Sequence, residues 1–233
     1  MNIRVKALFI IAFVGILSAC KKNDDAPVVK PTTLVNLVNA SNATINFYVN
    51  GTRINNTTSY FPGGTLGYLP FAAGSQNFQV KNAGPATPNY LFTMPLNFDT
   101  EKAYSLYVSG QTAESVFFTD DDFSPDTLGR AKIRFVNASP DAGGLVFSFT
   151  GKSSLGAILD TAQFSNVAYK TTTDFVAVTS GVRNIGVYNS SSPTNVRRDT
   201  VTLAGGKVYT LVSYGTVGTS GNQALGATLI TNQ

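Results

Sequence analysis

Beyond residue 33 the chain alternates apolar and polar side chains over short runs. Ile45, Phe47 and Val49 are interleaved with Asn46 and Tyr48, and Leu145, Phe147 and Phe149 follow the same rhythm later. A period of two sends successive side chains to opposite faces, so each run predicts a half-buried β-strand. Asn50-Gly51, Pro62-Gly63-Gly64, Ala73-Gly74 and Gly205-Gly206 punctuate the runs as turns. Asn50-Gly51 favours a type I′ hairpin, in which both central residues need positive φ. Around residue 133 the pattern places Ile133 and Phe135 in a core and Arg130, Lys132 and Arg134 on the opposite face.

The pattern occurs twice. Val38-Asn39-Ala40-Ser41 returns as Val136-Asn137-Ala138-Ser139, and Gly51 and Gly151 each close the strand that follows. Gly74 to Val80 matches Gly181 to Val187, and Lys102-Ala103-Tyr104-Ser105-Leu106 matches Lys207-Val208-Tyr209-Thr210-Leu211. Three blocks in one order at similar spacing mark a duplication. The expected organisation is a first copy over 34–123, a linker over 124–129 and a second copy over 130–233. Copies of about 90 to 100 residues with this rhythm suit tandem immunoglobulin-like, antiparallel β-sandwiches of seven strands each, an all-β fold. Tyr104 and Tyr209 are placed to act as tyrosine corners, each phenol bonding back to nearby backbone.

One stretch breaks the alternation. Ala7 to Leu17 is apolar without interruption, follows Arg4 and Lys6, and leads into the small residues Ser18 and Ala19. A helix of that length rises only about 16 Å, too short to span a bilayer, so residues 1–19 read as a secretion signal. Leu17-Ser18-Ala19-Cys20 resembles the bacterial lipobox. That resemblance implies cleavage before Cys20, lipidation of its thiol and anchoring of the mature protein to a membrane. Lys21 in place of Asp, by resemblance to Gram-negative sorting signals, implies the outer membrane. The mixed Lys21-Lys22-Asn23-Asp24-Asp25 resembles signals that carry lipoproteins to the cell surface, and equally suits a solvated tether. Residues 20–33, with Pro27 and Pro31, form a flexible tether reaching at most about 45 Å.

Composition agrees with strands: β-branched and aromatic residues recur, and charged residues make up 13% of the chain. Charge is uneven. Residues 34–123 hold three basic against six acidic side chains, and residues 130–233 nine against four. Such asymmetry suits an anionic partner, docking of one half on the other, or solubility alone. Nucleic acid is excluded as a partner by export.

Residues 129–142, from Gly129-Arg130-Ala131-Lys132-Ile133-Arg134-Phe135 through Val136-Asn137-Ala138-Ser139 to Pro140-Asp141-Ala142, are very similar to the opening motif of the domain of unknown function family 4397. Gly206 to Leu211 resembles its closing strand. The resemblance weakens over 34–123, where Asn42 and Ala43 replace Pro140 and Asp141. It implies a secreted or lipid-anchored bacterial protein with an immunoglobulin-like β fold, and it transfers no catalytic residue.

The chain has no histidine and one cysteine. His-dependent nucleophilic catalysis and a His/Cys zinc site are therefore excluded, and no cofactor is expected. A carboxylate-dependent hydrolase stays open as a minor alternative. Asp120-Asp121-Asp122 with Asp126 is the one acidic cluster, read as a solvated linker or as a calcium site of Asp120, Asp122 and Asp126. Tryptophan is absent, which weakens a sugar-binding reading without removing it. Candidate contact loops are 57–67, 82–90 and 214–223. The expected function is a non-catalytic binding or adhesion module held in the envelope by lipid on Cys20, with an envelope protein or a glycan as ligand. The alternative is a structural subunit packed against other envelope proteins.

Overall fold

In the first copy the chain forms β1 (Thr32–Asn39), β2 (Ile45–Val49), β3 (Thr52–Arg53), β4 (Thr65–Ala72), β5 (Gly74–Asn82), β6 (Phe92–Phe98), β7 (Ala103–Val108) and β8 (Val116–Asp120). The second copy forms β9 (Ala131–Val136), β10 (Leu145–Thr150), β11 (Ala162–Val167), β12 (Val176–Val178), β13 (Gly181–Asn189), β14 (Ser192–Leu203), β15 (Val208–Tyr214) and β16 (Gly226–Thr231). This computed structural model describes residues 31–232 except 56–57, 85–88, 152–161 and 190, with backbone alone at 162 and 192–198. The signal, Cys20 and the tether up to residue 30 lie outside the described residues.

The first copy pairs its strands as β4-β1-β7-β8 and β3-β2-β5-β6, and the second as β12-β9-β15-β16 and β11-β10-β13-β14. The two topologies are identical strand for strand. Among the described residues each is a sandwich of two four-stranded sheets, eight strands where seven were expected. Edge positions explain strands that alternation does not reveal. Pro70 in β4 and Pro95 in β6 lie on edge strands, where a missing N–H leaves no ladder bond unmade. Pairing is antiparallel except for one parallel pair per copy, β1 with β7 and β9 with β15.

The alternation sorts side chains as expected. Val35, Leu37, Ile45, Phe47, Phe78, Val80 and Leu106 fill the first core; Ile133, Phe135, Leu145, Phe147, Phe149, Ile185 and Leu211 fill the second. Each such side chain contributes about 1.5–3 kcal/mol by leaving water. Asn50 and Gly51 have φ of 51° and 80°, the positive values of the expected hairpin between β2 and β3. Both tyrosine corners are present. The Tyr209 hydroxyl accepts the Ala204 N–H at 2.9 Å, and the Tyr104 hydroxyl accepts the Asp99 N–H at 3.4 Å.

The repeated Val-Asn-Ala-Ser block has a structural role. Asn39 donates to the carbonyls of Ala43 and Tyr60 at 2.7 and 2.8 Å and accepts from the N–H and hydroxyl of Ser41. Asn137 donates to Gly143 and Val167 and accepts from the Ser139 N–H and the Ser213 hydroxyl. Each buried amide thus ties the end of its first strand to two other segments. The residues on either side of each Asn face away from their own core into a third cluster, where Val38, Ala40 and Tyr107 meet Val136, Ala138, Val212 and Ile230. The outer faces of the β1- and β9-containing sheets are therefore packed on each other, and the two sandwiches belong to one compact unit, Pro31–Gln233.

Candidate binding surfaces

Charge is concentrated where the sandwiches meet. Arg130, just before β9, and the basic residues on the outer face of β9 pair in reverse order with the segment leaving β8. Arg130 Nε and Nη2 each donate to the Asp126 carboxylate at 3.0 Å, and Lys132 Nζ donates to Asp122 at 3.1 Å and to the Ser124 carbonyl at 2.8 Å. Arg134 pairs with Asp121, the two side chains being 4% and 0% exposed. Asp121 also accepts from Tyr68 at 2.5 Å, Ser105 at 2.6 Å and Thr119 at 2.9 Å. Arg134 Nε donates to Thr210 at 3.0 Å, and its guanidinium lies 4.7 Å from the Phe175 ring centroid. Burial, and then the Asp121 charge, push the Tyr68 phenol well above its ordinary pKa. This seam accounts for the opposite charge of the two halves by docking.

The acidic cluster is divided: Asp121 and Asp126 are withdrawn from water, whereas Asp120 and Asp122 stay more than half exposed, as a solvated segment would leave them. Asp120 sits 3.5 Å from Lys102, and Asp121, Asp122 and Asp126 turn to three further cations. Hydrogen bonds from Ser124 and then from Lys132 hold the Asp122 carboxyl at about 2, and Arg130 foremost holds Asp126 at about 2. Among the described residues no three acidic, histidine or cysteine side chains gather as a metal site. Each carboxylate has its own cation: Asp120 pairs with Lys102, Asp126 with Arg130 just before β9, and Asp122 and Asp121 with Lys132 and Arg134 on β9.

Beside the seam a cleft of about 600 Å³ is lined by Leu34, Glu101, Lys102, Asp120, Asp122 and Phe123, among others. A hydrolase using two carboxylates needs one carboxyl held above its usual range, to donate a proton. Asp122 is shifted the other way.

The three candidate loops gather around one turn, Ala40–Thr44. The Gly215 N–H donates to the Ala40 carbonyl at 3.0 Å, and Asn42 Nδ2 to the Thr216 hydroxyl at 3.4 Å. The Ala83 N–H reaches the Thr44 carbonyl at 2.8 Å, and Ile45 and Tyr60 exchange backbone bonds. Gly63 packs against the Tyr214 ring so closely that a Cβ there would lie 2.5 Å from it. Segments from both copies thus meet at one end of the pair. Phe61, 57% exposed, and Val217 project from them. Of the loops, residues 57 and 85–88 lie outside the described residues.

A second cleft, of about 620 Å³, lies on the outer face of the β11-β10-β13-β14 sheet. Ser148, Thr150, Asn184, Gly186, Tyr188 and Thr200 line it. The sequence reading missed it because small polar residues on an outward face carry no signal before strands are paired. Cys20, the expected lipidation site, lies outside the described residues.

The family model for the domain of unknown function DUF4397 matches residues 33–148 and 153–233. No curated protein matches the chain. Among solved structures, a streptococcal ancillary pilin aligns at 12% identity and TM-score 0.24, covering 74% of this chain and 59% of the pilin's length. A family 26 carbohydrate-binding module of Eubacterium rectale in complex with maltoheptaose aligns at 13% identity and TM-score 0.23, covering 85% of this chain and 96% of its own. Family 41 carbohydrate-binding modules from streptococcal virulence factors align at 12% and 0.25, covering 77% and 93%. At these TM-scores none of the three bears on the site.

Proposed function

The chain belongs to the DUF4397 family, and starting from that membership we propose that it is a non-catalytic binding module held at the outer membrane by lipid on Cys20. The observation that carries the binding role is the convergence of loops from both copies around Ala40–Thr44, with Phe61 exposed on one of them and Val217 exposed on another beside Thr216, which accepts from Asn42. An apolar anchor inside a polar rim is the anatomy of a protein-recognition patch. Buried hydrogen bonds at Asn39 and Asn137 fix the strands that present it. Absence of histidine from the sequence favours binding over catalysis.

Anchoring rests on Leu17-Ser18-Ala19-Cys20, and the outer membrane on Lys21. Two or more acyl chains hold a protein on a bilayer stably. Fractionation of cells carrying Cys20→Ala tests the anchor: the variant is expected uncleaved or soluble, and its recovery with outer membranes like the parent ends that reading. Crosslinking on intact cells, after proteinase shaving has established orientation, tests the binding role. A partner captured by the parent is expected to be lost with Phe61→Asp and Val217→Asp together. Equal capture by that variant removes the loop end from recognition.

A further inference from the structure

We propose that the seam between the sandwiches is a twofold interface of the homodimer type held within one chain. The outer face of the β1 sheet, like that of the β9 sheet, is fitted to receive another copy of the same domain, whatever the loop end binds. Equivalent positions follow from the ladders. Asn36 faces Ser105 and Arg134 faces Thr210, so Asn36 corresponds to Arg134. Tyr104 faces Asp120 and Tyr209 faces Thr231, so the next residues, Asp121 and Asn232, correspond. Their N–H groups donate to the equivalent carbonyls of Ala103 and Val208, each at 2.8 Å. Gly63, donating to the Asn39 carbonyl, corresponds to Lys170, donating to that of Asn137. Both hold positive φ, 77° and 62°.

In a twofold interface, a contact between two positions is repeated with the partners exchanged. Three sets of contacts across the seam repeat in this way. The shared cluster draws Val38, Ala40 and Tyr107 from the first copy and their equivalents Val136, Ala138 and Val212 from the second. The Gly63 turn of the first copy packs on the Tyr214 ring of the second. Exchanged, the Tyr169-Lys170 turn of the second copy meets Ser109, the equivalent of Tyr214: the two hydroxyls bond at 2.6 Å, and Lys170 donates to the nearby Glu114 carbonyl. Arg134 of the second copy engages Asp121 of the first. Exchanged, Asn232 of the second copy comes to the Asn36 position of the first. Its Nδ2 donates at 3.1 Å to the hydroxyl of Tyr68, which lies directly across the β1–β4 ladder from Asn36.

Equivalent ends of the copies lie together. The Gly215 N–H donates to the Ala40 carbonyl across the seam, while the Ala40 N–H donates to Val108 within its own copy. The twofold axis therefore runs along the strands, and loops of both copies crowd one end. The symmetry is broken where the charge sits. On one side Arg134 and Asp121 form a buried ion pair; on the other the equivalent positions hold Asn36 and Asn232, both buried. Asn36 Nδ2 and Asn232 Oδ1 are a donor and an acceptor without a hydrogen-bond partner among the described residues. In a twofold seam, a cation and an anion placed at these two positions meet as Arg134 and Asp121 do.

The test moves the ion pair across the axis, in the complete mature chain prepared without lipid. Asp121→Asn with Arg134→Asn leaves asparagine at all four equivalent positions. On that background Asn36→Arg alone, and Asn232→Asp alone, should each lower the folding equilibrium constant in urea roughly tenfold or more, as an uncompensated buried charge does. The two together are expected to regain most of that loss, because cation and anion meet across the axis. Losses that simply multiply would overturn the proposal. Should the variant carrying both charges fail to fold, Asn36→Ala and Asn232→Ala in the parent decide instead. Their joint effect on the folding constant is expected to depart from the product of the single effects by roughly threefold or more, as for residues in contact. A plain product there overturns the twofold seam.

Discussion

The Asp121 carboxylate and the Arg134 guanidinium pair at the seam between two β-sandwiches, both almost wholly withdrawn from water. One follows directly from the last strand of the first copy, and the other lies within the first strand of the second. The pair joins the copies across their interface, with Tyr68, Ser105 and Thr119 completing the hydrogen bonding of the carboxylate. Removing one partner of a buried pair leaves an uncompensated charge, at a cost of about 3–5 kcal/mol. Arg134→Met is therefore expected to lower stability by that amount in urea titration. Adding Asp121→Asn should recover part of the loss, since the amide oxygen still accepts from Tyr68 and Ser105. A loss below about 1 kcal/mol in the single variant would contradict a seam held by this pair.

Acid should loosen the outer part of the same seam. Asp122 and Asp126 sit at about 2, against 3.8 for a free aspartate. Folded values below the unfolded one mean a contribution complete above about pH 4 and lost as pH falls towards 2. Tm measured across that interval is expected to fall, and to fall less steeply in Asp126→Asn. Parallel curves for parent and variant would show that the Arg130 pair contributes nothing to acid sensitivity.

The tyrosine corners should differ in strength. Tyr209→Phe removes a 2.9 Å bond to the Ala204 N–H, worth about 1 kcal/mol. Tyr104→Phe removes two longer bonds, both 3.4 Å, from the Asp99 N–H and to the exposed Asp99 carboxylate, and should cost less. Denaturant midpoints at constant m-value measure both. A larger loss for Tyr104→Phe would reverse the assignment.

Asn137→Ala should be more damaging than either. It strands the Gly143 and Val167 carbonyls, the Ser139 N–H and the Ser213 hydroxyl, each of which Asn137 engages. Buried groups left unpaired cost about 1–3 kcal/mol each where no water replaces the partner, so a loss of roughly 3 kcal/mol or more is expected. Asn39→Ala should behave alike in the first copy, and a near-neutral result at either position would refute the role given to the repeated motif.

Much of this architecture was legible from residue order. The two-residue period assigned Phe47, Phe147 and Ile133 to cores, Asn50-Gly51 announced its hairpin, and the spacing of Tyr104 and Tyr209 located both corners. These features are local, set by side-chain direction along a strand or by φ at a turn. Strands carrying Pro70 and Pro95 were harder to count, because edge strands tolerate residues that disrupt the pattern.

Alternation says that a residue faces away from its own core; it cannot say what, if anything, covers that second face. Arg134 and Ser148 both point outward from their sandwiches. Packing of the β9 sheet on the β1 sheet buries Arg134 against Asp121, whereas Ser148 stays half-buried in a cleft. The duplication, the strand phase and the Leu17-Ser18-Ala19-Cys20 run are properties of the sequence alone. Which outward faces are sealed and which stay open was decided by tertiary structure, because burial of an outer face depends on a partner surface distant in the chain.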